Sequence, residues 1–311
     1  MRSRIASVVS IEVSGQDPRF ARADGNAGAR RSRAWKIPGA VGFSLLTVCA
    51  SAVSLPYCGD PKVSGECIYR IVPVVVSTPG ARGSFFRTSV TVIGGSGRLV
   101  FHPTGQSATD ADPSIAFNPA GGVTTFPDVV AAFGRQGIGS LDWVLPFPLG
   151  TPGQVLAPEL FVEIYNDTPD GRPASTLEAV DPSARGLKSQ VLSMFYEGFL
   201  IVPDTERRRF SVGVRTLQGS SPNSCPTLFF LWDSGSPSVP AARAQLTLPP
   251  DSFEQIDAAT LFGTPLRPNQ YVQVSPDQSF GCPTIAYGVS VDNQTNSPSI
   301  RIVRASHFRG A

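Results

Sequence analysis

Two stretches of this chain say nearly the same thing: "PDVVAAFGRQ" at 127–136 and "IDAATLFGTP" at 256–265 each hold an Asp, small and apolar residues, Phe-Gly and then a polar step. Other segments recur in the same order. "RIVPVVV" at 70–76 returns as "LIVPD" at 200–204, "FRTSVTVI" at 86–93 as "FSVGVRTL" at 210–217, and "RLVFHPTG" at 98–105 as "TLFFLWDSG" at 227–235. "LFVEIYNDTPDGRPAS" returns as "IAYGVSVDNQTNSPSI" near the end of each copy. The offsets drift between about 124 and 130 residues, as they do when loops change length and strands do not. A duplicated chain is the reading: one copy over residues 68–178, a linker over 179–189 and a second copy over 190–306, with a tail at 307–311.

Within a copy the apolar residues alternate. In "SVTVI" Val90 and Val92 oppose Thr91. In "ELFVEIYN" Glu159, Phe161 and Glu163 oppose Leu160, Val162 and Ile164, and in "QYVQVS" Tyr271 and Gln273 oppose Val272 and Val274. Period-two alternation predicts antiparallel strands with one packed and one wet face. Continuous apolar strands separated by helices, the mark of a parallel α/β sheet, do not appear. With 30 Gly, 29 Pro and only 16% charged residues, the chain favours turns and strands. The expected fold is all-β: two tandem antiparallel β-sandwich domains, Ig-like or jelly-roll-like, each with one short helix.

That helix is the Phe-Gly element. Ser252 with Gln255 three residues on, and Thr124 or Thr125 ahead of Pro127, are its expected caps, and Gly134 and Gly263 its left-handed ends. Because the repeated residues are apolar, Phe133-Gly134 and Phe262-Gly263 are read as plugs closing a core; a ligand loop is the alternative.

The N-terminus points to export. Basic "RRSRAWK" precedes an uncharged stretch from Ile37 to Ser54 that ends in small residues at Ala50-Ser51-Ala52, the three parts of a secretory signal. Residues 1–54 are read as leader and signal. Cleavage after Ala52, retention as an anchor and lipidation at Cys49 are all open, and the 29 residues before the twin arginine suggest a start site lying further along the chain. Of 26 bases and 24 acids, eight bases and three acids lie in residues 1–36, leaving 18 against 21 in the rest. A nucleic-acid partner wants a basic stripe; the short run Arg207-Arg208-Arg209 reads as a solvated turn.

Removing the signal leaves four cysteines, an even number suited to an oxidising compartment. Cys58 and Cys67 flank a turn and predict a local bridge within an N-terminal loop over 55–67. Cys225 and Cys282 share the context Cys-Pro-Thr followed by an apolar run. A bridge between them would close a loop of about 58 residues, worth roughly 4 kcal/mol in the chain-entropy model; inert free thiols are the plainer alternative.

Catalytic patterns are sparse. The chain has two histidines, His102 and His307, and no Gly-x-Ser-x-Gly elbow, so a serine triad has little to build on. Glu159 and Glu163 share a strand face, where wet-face alternation explains them. Asp110 and Asp112 in "TDADPS" are candidate calcium ligands, as are Asn166, Asp167 and Asp170 in "YNDTPDG", although Asp-Pro and Asp-Gly are ordinary turn chemistry. "GGSG" at 94–97 reads as a hairpin turn. Trp143 and Trp232, each near a strand end, are candidate ligand contacts, with core packing the plainer reading of both. No cofactor and no metal centre are expected.

The order "IVP…FFRTSVTVI…FPDVVAAFG…EIYNDTPDG" followed by "FSVGVRTL…TLPPDSFEQIDAATLFG…YGVSVDNQT" resembles a group of secreted bacterial proteins with paired β-sandwich modules. The resemblance covers about 240 residues. It departs at Arg209-Phe210-Ser211, which stands where the first copy has Phe-Arg-Thr, and it carries no catalytic residues; it implies compartment and fold. The expected function is an exported, non-catalytic surface-interaction or accessory structural protein, secreted or held in the periplasm or at the cell surface. Its expected partner is a protein or glycan there, with no nucleic acid and with membrane contact only through the N-terminal segment. A carbohydrate-binding or carbohydrate-processing protein, with its site in loops at one end of a sandwich, is the alternative. A signal-anchored subunit of a larger assembly is a third reading.

Overall fold

The computed structural model describes residues 8–12, 55–58, 65–109, 111–118, 122–147, 159–168, 173–180, 198–217, 224–235, 238–276 and 283–303. The expected leader therefore lies outside the described residues except for strand β1 (Val8–Glu12), which pairs with β13 (Ala242–Leu248) at the edge of a sheet in the second half. The rest of the first half is β2 (Gly65–Pro79), β3 (Phe85–Ile93), β4 (Gly97–Pro103), β5 (Ser114–Phe117), β6 (Val123–Phe126), α1 (Val129–Ala132), β7 (Gly137–Phe147), β8 (Glu159–Asn166) and β9 (Ala174–Leu177). The second half is β10 (Gly198–Ile201), β11 (Arg208–Thr216), β12 (Cys225–Asp233), β13, β14 (Phe253–Asp257), α2 (Ala258–Phe262), β15 (Gln270–Pro276), β16 (Thr284–Asp292) and β17 (Pro298–Ile302). The fold is all-β, and the strands pair antiparallel.

The strand order of one half returns in the other. In the first half the run β5-β4-β7-β2 continues through β3 into β8-β9, with β6 also paired to β3. In the second half, β13-β12-β15-β10 and β14-β11-β16-β17 reproduce the same order eight strands later. Each pair of similar sequence segments thus occupies one place in the topology. What differs is the length of the first strand. β2 runs for 15 residues, pairing with β7 along most of its length and then with β3 over Ser77–Pro79, so it turns a corner and joins the two runs into one bent sheet. β10 has four residues and reaches only β15, which leaves two separate sheets. Residues 94–97 are not a hairpin: β3 and β4 do not pair, and the positive φ of Gly94 and Gly95 carries the chain from one run to the other.

Each helix is a single turn, and the repeated aspartate explains it. Asp128 and Asp257 are the N-caps, their side chains accepting from the backbone N–H of Ala131 and Thr260 at 3.0 and 2.9 Å. The expected caps Thr124, Thr125 and Ser252 lie in or beside the preceding strand instead; Ser252 hydrogen-bonds Thr216 and the carbonyl of Pro249. An Asp three residues before a helical N–H satisfies a donor that would otherwise be orphaned. Gly134 and Gly263 take left-handed φ values of 66° and 62°. Phe262 is fully buried in the second-half core, whereas Phe133 is half-buried, its ring 5.7 Å from Phe101 at the margin of the first.

Both faces of the sheet β14-β11-β16-β17 carry core residues. Val212 and Val214 of β11, with Ala286 of β16, face the core shared with β12, β13 and β15. On the opposite face Tyr287, Val289, Val291, Ile300 and Ile302 pack against the first-half core built on Val90, Leu99, Phe101, Trp143 and Val162. Ile285 and Leu217 meet Ile68, Ile71, Val100 and Val144 in a third cluster across the seam. The expectation of one dry and one wet face therefore fails for this sheet, because each half supplies one of the two covers. Backbone bonds cross the seam as well: Gly105 N–H donates to the Phe253 carbonyl at 2.9 Å, and Ala108 N–H to that of Asp251 at 2.7 Å. The start of the expected linker is also tied down, with Val180 and Ile71 exchanging both backbone hydrogen bonds.

Gly213 sits on the seam face of β11, where a Cβ would overlap the Tyr287 ring. Gly213→Ala is expected to destabilise by roughly 1–3 kcal/mol through overpacking. Gly235→Ala, with open space around the position, is expected to stay within about 0.5 kcal/mol. Denaturant midpoints of the two variants check this, and equal midpoints would rule out a tight seam.

Candidate functional site

Two groupings stand out, one sealed and one open. The sealed one lies in the seam. His102 on β4 and Asp142 on β7 share a sheet face, since His102 pairs with Ser140 and Val100 with Asp142. The His102 ring lies between two carboxylates: Nδ1 is 2.6 Å from Asp112 Oδ2 and Nε2 is 3.0 Å from Asp142 Oδ2. A carboxylate only accepts, so a ring hydrogen-bonded to one at each nitrogen donates from both and is the imidazolium. Arg215 reaches in from β11 of the other half, its Nη2 3.5 Å from both Asp142 Oδ2 and Asp251 Oδ1, with its side chain 1% exposed.

Burial pushes the His102 pKa down and Arg215 adds to that push, but the charge of Asp142 and the hydrogen bonds to Asp112 and Asp142 outweigh them and raise it. Burial pushes Asp142 up; His102 and Arg215 overcome this and hold it below its ordinary value. Both ring nitrogens are occupied and the ring is buried. The cluster therefore offers no open side to a substrate, and its geometry suits holding the halves together.

The open grouping is the outer face of the sheet β13-β12-β15-β10. Alternation puts Leu200, Phe229, Leu231, Val272 and Val274 inside and turns their neighbours outward. Phe199 and Ile201 of β10 are 45% and 69% exposed. Phe199 meets Tyr271 of β15 edge-on, ring centroids 5.5 Å apart. Tyr271 lies opposite Trp232 of β12, with rings 6.4 Å apart and planes within 13°. Trp232 neighbours Phe230 at 6.4 Å, and the guanidinium of Arg243 on β13 lies 5.7 Å from the Phe230 ring centre. The Trp232 indole N–H donates to Gln273 Oε1 at 3.0 Å, which fixes the ring. The result is an aromatic row on three adjacent strands, β10, β15 and β12, with Arg243 of β13 at its end.

The two tryptophans thus part company. Trp232 belongs to the open row. Trp143 is 0% exposed in the first-half core, against Tyr69 and Phe117, and so presents no ring to a ligand at the surface. Asp112 is also not available as a surface calcium ligand: its carboxylate takes His102 and both the N–H and hydroxyl of Thr109. Asp110 lies outside the described residues. Asn166 Oδ1 accepts from the Phe85 N–H and Asp167 pairs with Arg87, while Asp170 lies outside the described residues. Among the described residues no group of three His, Cys, Asp or Glu side chains is placed to hold a metal ion. Glu159 and Glu163 stand on the wet face of β8, lining a concavity of about 730 Å³ with Arg70 and Phe161.

Cys58 and Cys67 form a disulfide, Cα atoms 5.0 Å apart. Cys225 is also disulfide-bonded; Cys282, its expected partner, lies outside the described residues, as do Cys49 and His307. Among the described residues no helix is long and apolar enough to cross a membrane.

The seam cluster and the aromatic row are what sequence reading missed. His102 has an Asp ten positions on, a spacing that becomes contact only because the β4–β5 connection folds back. The row is spread over three strands, and only Trp232 is a candidate contact on sequence grounds. In comparisons with known proteins, no family model, no curated protein and no solved structure matches this chain.

Proposed function

We propose that this chain is an exported, non-catalytic binding or accessory protein, built as a tandem pair of β-sandwich modules, that docks through the outer face of the sheet β13-β12-β15-β10. The observation that carries this reading is the aromatic row Phe199–Tyr271–Trp232–Phe230 on an open face. Rows of large apolar rings with polar tips are what docking surfaces use, because they bury much area while losing few rotamers. The one histidine–carboxylate cluster among the described residues is closed to substrates and so does not compete as a reaction centre. Export rests on the N-terminal signal pattern, on the disulfide and on the resemblance to secreted paired-module proteins.

The test is adhesion. Fluorescently labelled protein is applied to whole cells of the source organism and to their isolated envelope. The expected result is saturable retention that drops at least tenfold in the double variant Trp232→Ala/Tyr271→Ala. Equal retention of wild type and double variant removes this face as the docking surface. Intact mass of the exported protein checks the compartment: a chain beginning at Val53, and so without β1, is expected.

A further inference from the structure

The aromatic row also indicates what it docks. Four outward rings lie on three adjacent strands with Arg243 on the fourth, and at about 4.8 Å per strand they extend over roughly 10 Å, or about 14 Å with Arg243, more than one small ring and suited to a short chain. Among the described side chains of the row, the one charge is Arg243; the rest of the polar lining is neutral, with Gln273 held by Trp232. At the rim Asp233 is already paired with Arg267 at 3.3 Å and accepts from Gln270 at 2.9 Å. A polyanion would want several cations here, and a lipid surface would want a larger aliphatic area than Ile201 supplies. Rings flanked by amides match a neutral polyhydroxylated chain, whose sugar rings present C–H faces to aromatic planes and hydroxyls to the edges.

We propose that the outer face of β13-β12-β15-β10 binds a neutral polysaccharide laid across the strands, with Trp232 and Tyr271 as the central stacking platform. This rests on the reading of that face as the docking surface. It places the glycan on a sheet face and not in loops at one end. The near-parallel planes of Trp232 and Tyr271, on directly paired positions of adjacent strands, supply a flat platform on which a sugar ring can stack.

The experiment is isothermal titration of the full-length protein with cellohexaose, chitohexaose and maltohexaose and with the corresponding monosaccharides, alongside pull-down on insoluble cellulose and chitin. The expected result is saturable binding of at least one hexasaccharide, at least tenfold tighter than its monosaccharide. Trp232→Ala and Tyr271→Ala each weaken it tenfold or more, Trp232→Phe retains binding within about threefold, and Phe161→Ala, on an exposed ring of the other half, changes nothing. Melting temperatures of all variants within about 3 °C of wild type show that the loss is local. Absence of binding to every glycan, or wild-type binding by Trp232→Ala, overturns the glycan assignment. If the glycans fail while envelope retention still depends on Trp232 and Tyr271, the face docks something of other chemistry and only this inference falls. If both measurements ignore these residues, the docking face falls too.

Discussion

Arg215→Met is expected to destabilise the protein by about 3–5 kcal/mol, the cost of leaving buried carboxylates without their cation, and to lower the melting temperature by on the order of 10 °C. Arg215 is nearly sealed, facing Asp142 across the seam and Asp251 of its own half; its removal takes the cation from beside Asp251 and leaves Asp142 with His102. Asp142→Leu should cost a similar amount. The double variant Arg215→Met/Asp142→Leu should recover much of the loss, because apolar groups of similar size need no partner. A double variant as unstable as the sum of the singles would show that the two side chains do not interact.

The same cluster sets a pH profile. His102 has a raised folded pKa, so its contribution is fully present below the ordinary value of 6.5 and is lost as pH rises through the folded value. Asp142 has a lowered folded pKa, so its contribution is present above the ordinary 3.8 and is lost as pH falls through the folded value. Stability from this pair is thus greatest between 3.8 and 6.5. The melting temperature is expected to rise as pH is lowered from 8 towards 6, and His102→Gln should flatten that rise. A wild-type profile no steeper than that of His102→Gln would exclude His102 as the titrating group.

Trp143→Ala is the second large effect, expected at about 3–5 kcal/mol for the loss of a fully buried indole. Its Nε1–H is buried without a protein partner among the described residues. Trp143→Phe should therefore cost well under half as much, since it removes an unsatisfied donor along with some volume. Trp232→Ala, on a half-buried ring at the surface, should fall near 1 kcal/mol or less. Urea midpoints of the three variants give the ranking, and equal costs at Trp143 and Trp232 would contradict the burial difference.

The all-β class, the alternating faces of β8 and β15 and the place of the Phe-Gly turn were legible because each depends on residues a few positions apart. Val272 and Val274 must point one way if Tyr271 and Gln273 point the other. The order of repeated segments was legible for the same reason: similar strands enter the fold at similar places. The helix caps differ from the expected ones because Ser and Thr are generic capping residues, whereas Asp128 and Asp257, which do the capping, read in sequence as part of the repeat. What sequence could not supply is the seam. Ser211, Gly213 and Arg215 look like the polar side of a half-wet strand, and only the packing of one half on the other turns that side inward. Arg215 in particular reads as a solvent-facing charge until a partner strand from 73 residues earlier brings Asp142 beside it. The aromatic row was hidden for a related reason, since its rings adjoin only after β10, β12 and β15 pair.

A sheet covered on both sides by different parts of one chain has a consequence for how the molecule came about and how it can be taken apart. Each half, as it now stands, has part of its core covered by the other. The carboxy-terminal half released alone would display Tyr287, Val289, Val291 and Ile300 to water, a contiguous greasy plane that invites aggregation. The two halves are therefore expected to be obligate co-folding partners: made separately, they should stay insoluble or unfolded and regain structure only when mixed.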